Sequence, residues 1–154
     1  MKIIFLISIV LLFFGCSNLN NVAKNDPLVE LVVQQDKYSL IFKHEFNNNF
    51  KTYDKRLAKF IVETNLSFNT SDALSDNGNN QLNIIKGTVD FKIFNKTNSK
   101  VIKTGSISSS INTGNVSSLY GVDENNNFAK ERMARYLASR LYRKILLNTY
   151  TSEN

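Results

Sequence analysis

Over residues 60–111, apolar side chains recur at alternate positions in three successive runs, and each run is predominantly apolar on one side. Phe60, Val62, Leu66 and Phe68 alternate with Ile61, Glu63, Asn65, Ser67 and Asn69 in the first. Ile85, Val89, Phe91 and Ile93 alternate with Lys86, Thr88, Asp90 and Lys92 in the second, and Val101, Ile107 and Ile111 share a side with Gly105 and Ser109 in the third. Successive side chains of a strand point to opposite faces, so this period predicts three half-buried strands. The turn Lys96-Thr97-Asn98-Ser99 makes a hairpin of the last two, and the first extends it into an antiparallel meander. The polar stretch 70–81 reads as an exposed loop between the first two. A sheet with one apolar face needs a second layer to cover it.

Two segments of helical period supply that layer. Asp36 is placed to cap a helix over 37–50, in which Phe42, Phe46 and Phe50 recur every four residues with Leu40 beside them. The run Asn47-Asn48-Asn49 is poor helix material and should fray its end. After an Asn-, Ser- and Gly-rich loop, residues 125–149 return to the same period, with Met133, Ala134, Leu137, Ala138, Leu141 and Ile145 on one side. A β-branched run at 29–33 predicts one further strand. The expected fold is α+β: a two-layer sandwich of an about four-stranded mixed sheet with two helices on one face, in the order β-α-β-β-β-α.

Ahead of this domain the chain carries one charge at Lys2, an apolar run over 3–14 broken only by Ser8, and the small residue Gly15 directly before Cys16. That order reads as a secretory signal over 1–15, too short to span a hydrocarbon core that needs about 20 apolar residues. Leu12-Phe13-Phe14-Gly15-Cys16 resembles a bacterial lipobox, with phenylalanines where Leu and a smaller residue are usual. Cys16 is the only cysteine, so it has no disulfide partner within the chain. Cleavage before Cys16 and its acylation explain its place; ordinary cleavage near Ser17 is the alternative. Residues 16–27 then form the lipidated cysteine and a polar tether ending at Pro27, residues 28–150 a single domain, and 151–154 a loose tail. Ser17 after the cysteine resembles the outer-membrane sorting choice, which places the domain on the periplasmic side.

Removal of 15 of the 154 residues leaves 139, enough for one core. The formal charge of +6 implies anionic partners, and at an envelope these are lipid phosphates, not nucleic acid. A catalytic site is hard to compose. His44 is the only histidine and lies off the Phe42/Phe46/Phe50 stripe, which leaves zinc without its usual ligands. Gly87, Gly105, Gly114 and Gly121 are isolated, and Ser108-Ser109-Ser110 lacks the glycines of a nucleophile elbow. Asp54, Glu63, Asp90 and Glu131 occur singly. No enzyme activity, cofactor or metal is therefore expected.

Basic residues are the better candidates. Spacings of three and four predict that Arg132, Arg135, Arg140 and Arg143 share one outer helix face, where planar guanidinium forks could hold phosphate. Lys51, Lys55, Arg56 and Lys59 form a second basic group, and Lys86 and Lys92 stand on the polar sheet face. A merely solvated helix face is the competing reading of the arginines.

The order of these features resembles LptE, the lipopolysaccharide-assembly lipoprotein family, in its alphaproteobacterial form. The resemblance runs from the lipobox through 29–35 and Asp36-Lys37 to Ser118-Leu119-Tyr120-Gly121, Asp123 and Ala129, and on to Leu137-Ala138 and Arg140-Leu141. Lys37 stands where the family often has Arg, Gly121 where it often has Ala, and Cys16-Ser17-Asn18 where it often begins Cys-Gly-Phe. The resemblance implies an outer-membrane lipoprotein that plugs the β-barrel LptD, assists its assembly and contacts lipopolysaccharide, without covalent chemistry. The family's lipopolysaccharide contacts are attributed to basic loop residues, and 70–81 and 114–127 contain none. The alternative is an orphan periplasm-facing lipoprotein that serves as a protein-interaction module. A lipid-carrying chaperone would need a deep apolar cavity, which the helices are expected to fill.

Overall fold

A computed structural model describes residues 29–49, 55–74, 81–114 and 118–151. The leader, Cys16, the tether, Phe50, Lys51, Asp54 and the tail beyond Thr151 lie outside the described residues. The element order is β1 (Val29–Val32), α1 (Lys37–Asn48), a 3-10 turn (Lys55–Leu57), β2 (Phe60–Leu74), β3 (Gln81–Asn95), β4 (Val101–Thr113) and α2 (Leu119–Thr151). The strands form one mixed sheet in the order β1-β2-β3-β4. β1 runs parallel to β2 with Val29 opposite Phe60, while β2, β3 and β4 make the antiparallel meander. The fold is the α+β arrangement that the two periodicities require.

Both helices lie on the apolar face. Phe42 and Phe46 of α1 and Leu137, Leu141 and Ile145 of α2 are buried against Val62, Val89 and Phe91 of the sheet. Each such side chain contributes about 1.5–3 kcal/mol on leaving water, so this layer dominates stability. Gly87 sets how closely α2 approaches β3: a Cβ there would stand 2.7 Å from Met133 Cγ and 3.0 Å from Leu137 Cδ1.

Local chemistry fixes the helix ends. Asp36 Oδ1 accepts from the amides of Tyr38 and Ser39, each at 3.0 Å, and caps α1. Burial pushes the Asp36 carboxyl up, but the bonds from Ser39 and Tyr38 together outweigh it and hold it below its ordinary value. At the other end Asn49 donates from Nδ2 to the Glu45 carbonyl at 2.7 Å, which satisfies one of the last free acceptors and stops the helix there.

Three features depart most from the sequence expectation. Residues 70–74 and Gln81 of the expected 70–81 loop are strand, with Thr70 opposite Ile85 and Leu74 opposite Gln81, because ladder bonds satisfy the backbone whatever the side-chain polarity; 75–80 lie outside the described residues. The second helix starts at Leu119 instead of 125: Ser118 Oγ accepts from the Gly121 amide at 3.1 Å, a capping signal hidden in the serine-rich loop. Two asparagines at the start of the expected helix are tied to the rest of the fold. Asn127 Oδ1 accepts from the Tyr38 hydroxyl at 2.8 Å, and Asn125 Nδ2 donates to the Gly114 carbonyl at 3.2 Å. Finally, a register shift between Ile93 and Phe94 sets Val101 opposite Phe94, off the face that Ile107 shares with the core.

Candidate functional site

The far half of α2 overhangs the outer edge of β4, and between them runs a groove of about 450 Å³. Ile107 forms its floor, and Tyr136, Arg140, Arg143, Lys144 and Leu147 of α2 form its wall. These α2 residues follow from helix geometry: positions 136, 140, 143/144 and 147 return to one side at spacings of three and four. That side flanks the buried stripe of Leu137, Leu141 and Ile145, so packing of the stripe on the sheet aims it at the edge strand.

Two of the cations are anchored on β4 itself. Arg140 Nη1 donates to the Ser108 carbonyl at 2.9 Å and Lys144 Nζ to the Ser106 carbonyl at 3.2 Å. The Arg140 guanidinium also stands 5.7 Å from the Tyr136 ring centre, and Lys144 Nζ 5.3 Å from that of Phe91. Such cation–ring contacts contribute about 0.5–1 kcal/mol when exposed and hold the long side chains in place. Tyr136 and Leu147 leave 53% and 71% of their surface in water. The groove is therefore lined by three cations and by apolar groups, with no carboxylate among its lining residues. It can take an extended ligand that carries negative charge and some apolar surface.

The structure brings only part of the predicted arginine face together. Arg140 and Arg143 line the groove, and Lys144 joins them, a residue legible from its four-residue spacing to Arg140 but missed because it stands beside Arg143. Arg135 turns the other way, with Nη1 3.9 Å from Glu45 Oε2 on α1. Five residues separate it from Arg140, about 140° around a helix of 3.6 residues per turn, so the two cannot share a face. Arg132 is exposed and outside the groove. In the second basic group Arg56 and Lys59 are exposed, and the Lys55 side chain lies outside the described residues. Lys86 and Lys92 are exposed on the open sheet face, and His44 is exposed on α1. Lys37 is held above its ordinary pKa by the hydrogen bond and charge of Glu131, 2.9 Å away, which ties α1 to α2.

Among the described residues no three His, Cys, Asp or Glu side chains stand together as a metal site, and no helix is long and apolar enough to cross a membrane. No family model and no curated protein matches this sequence. Solved structures do match its fold. A candidate lipoprotein from Caulobacter crescentus superposes with a TM-score of 0.63 at 16% identity, over 86% of this chain and 96% of that one. Rare lipoprotein B from Shewanella oneidensis gives 0.63 at 11% identity, over 82% and 98%. A minor lipoprotein from Acinetobacter baumannii gives 0.58 at 12% identity, over 80% and 95%. At these identities the likeness is one of fold, and it spans nearly the whole of each relative.

Proposed function

We propose that this chain is a non-enzymatic outer-membrane lipoprotein of the LptE kind, anchored through Cys16 and facing the periplasm. In this role it plugs the β-barrel LptD and assists lipopolysaccharide transport and assembly at the cell surface. The observation that carries the reading is the fold shared with rare lipoprotein B and the other lipoproteins, found in a chain whose residues 12–16 read Leu-Phe-Phe-Gly-Cys after an apolar run. Acylation supplies the two or more hydrophobic chains that stable anchoring requires. With the domain confined to a membrane surface, the local concentration of an integral barrel favours a one-to-one complex. Arg140, Arg143 and Lys144 offer the anion-binding surface such partners need.

Pull-down of the detergent-solubilised protein from its native envelope should recover a large β-barrel in about equal amount. Recovery of the chain without any barrel would remove this reading and leave an interaction module with another partner. Cys16→Ser should shift the protein from the membrane to the soluble fraction when the barrel is depleted, and only partly when it is present.

A further inference from the structure

We propose that β4 is a docking edge for an extended, acidic β-segment of a protein partner. The segment adds to the sheet as a fifth strand and sets alternate carboxylates in the groove against Arg140 and Arg143. This goes beyond the assignment to a barrel complex and does not depend on it.

Among the described residues β4 is paired on one side only, to β3. The carbonyls of Ser106 and Ser108 accept from Arg140 and Lys144, so they point away from the ladder. In an extended strand the N–H and C=O of one residue point to the same side, and the direction repeats every second residue. The amides of Thr104, Ser106, Ser108, Ser110 and Asn112 therefore form an outward row.

Exposed edges are ordinarily blunted by proline, by charged residues on the strand or by bulges. Residues 105–113 of β4 carry no proline and no charge, and their register to β3 is unbroken. Beyond Lys103 and the register shift at the start of the strand, Arg140 and Lys144 guard this stretch, and the flexible Arg140 side chain, lying across the Ser108 carbonyl, can turn to a stronger acceptor. A carboxylate is that acceptor, since charge-assisted bonds are roughly twice as strong as bonds to a neutral carbonyl.

The two faces of an added strand would meet different chemistry. Alternate side chains on the helix side reach the groove, where cations favour Glu or Asp and where Ile107, Tyr136 and Leu147 pack the carbon stems. The others lie beside Ser106, Ser108 and Ser110 on the open face, where Thr or Ser makes good cross-strand pairs. A second copy of this chain fits poorly, because edge-to-edge pairing of two β4 strands would bring the same cations face to face. A lipid phosphate could use the cations but has no use for the row of amides.

The test is a fluorescent twelve-residue peptide with Thr and Glu alternating, titrated into the full chain in detergent and read by anisotropy, with amide exchange measured on the complex. Binding should weaken with salt, and exchange at Ser106, Ser108 and Ser110 should slow. N-methylation of alternate peptide amides should abolish binding, and the Arg140→Gln/Arg143→Gln double variant should weaken it about tenfold. Equal binding by the N-methylated peptide would overturn the proposal in favour of a simple anion site open to lipid phosphates. Absence of binding would overturn it as well, and so would slowed exchange along β4 that depends on protein concentration without peptide, the mark of self-pairing.

Discussion

One edge of the sheet is β1, four residues paired in parallel to β2; the other is β4, thirteen residues paired antiparallel to β3. Charges beside the first are matched within the fold. Glu30 of β1 meets Lys96 at 3.0 Å, Lys37 meets Glu131 at 2.9 Å, and Glu45 lies 3.9 Å from Arg135. Thr64 Oγ1 donates to the Val32 carbonyl at 3.1 Å, which closes the end of the short strand. Beside β4, Arg140 and Lys144 donate to the carbonyls of Ser108 and Ser106. The same helix, α2, thus turns one flank to a side where acids and bases pair off, and the other to an open edge furnished with cations. The two edges of one sheet differ in length, in pairing sense and in the charges set beside them.

The contrast is sharpest in stability. Phe46 is fully buried where α1 meets α2, its ring 6.3 Å from that of Tyr142. Phe46→Ala should cost about 3–5 kcal/mol, through lost transfer energy and the cavity left behind. Leu147 on the groove wall is mostly exposed, and Leu147→Ala should cost less than about 0.5 kcal/mol. Urea unfolding of both variants measures the difference; equal losses would mean that the β4 flank is part of the core and not a surface held in reserve.

How far this contrast could be read in advance depends on which physical signal carries it. Alternation at period two placed Val62, Val89, Phe91 and Ile107 on the covered face, and the repeat of Phe42 and Phe46 placed α1 over it, because burial leaves a periodic trace. Ser118 misled, since its helical role rests on a cap to the Gly121 amide that a serine-rich stretch conceals, and the helix therefore begins six residues before 125. Thr70 to Leu74 misled for the related reason that strand pairing can carry polar residues. The candidate site was half legible. Arg140 and Arg143 could be named, but which arginines face the same way depends on an angle around the helix, and that β4 is an edge strand depends on topology.

A smaller effect comes from the cap that starts the α1 flank. Asp36→Ala should cost about 1 kcal/mol, the usual loss for an N-cap acceptor. The sign of its pH dependence follows from the lowered carboxyl. The folded state favours the carboxylate, so the contribution is present above the unfolded value of 3.8 and is lost as pH falls through the lower folded value. Urea midpoints of the wild type and Asp36→Ala should therefore differ above about pH 5 and converge near about pH 2. A gap that persists in acid would assign the cap's effect to something other than its charge.

The finest test sets the two flanks of α2 against each other with one chemical change. Arg135→Gln removes a pair at 3.9 Å between side chains 50% and 30% exposed, and such pairs contribute about 0.2–1 kcal/mol, screened by salt. Arg140→Gln removes a hydrogen bond to the Ser108 carbonyl, whose loss is of similar size because water can replace the donor at an exposed edge. Thermal melts should barely separate the two variants. Binding of the alternating Thr and Glu peptide should separate them cleanly, leaving Arg135→Gln at wild-type affinity and weakening Arg140→Gln. If both lose affinity alike, the cations of α2 act as one diffuse positive field, and the distinction between a satisfied flank and an available one fails at the level of binding even though it stands in the geometry.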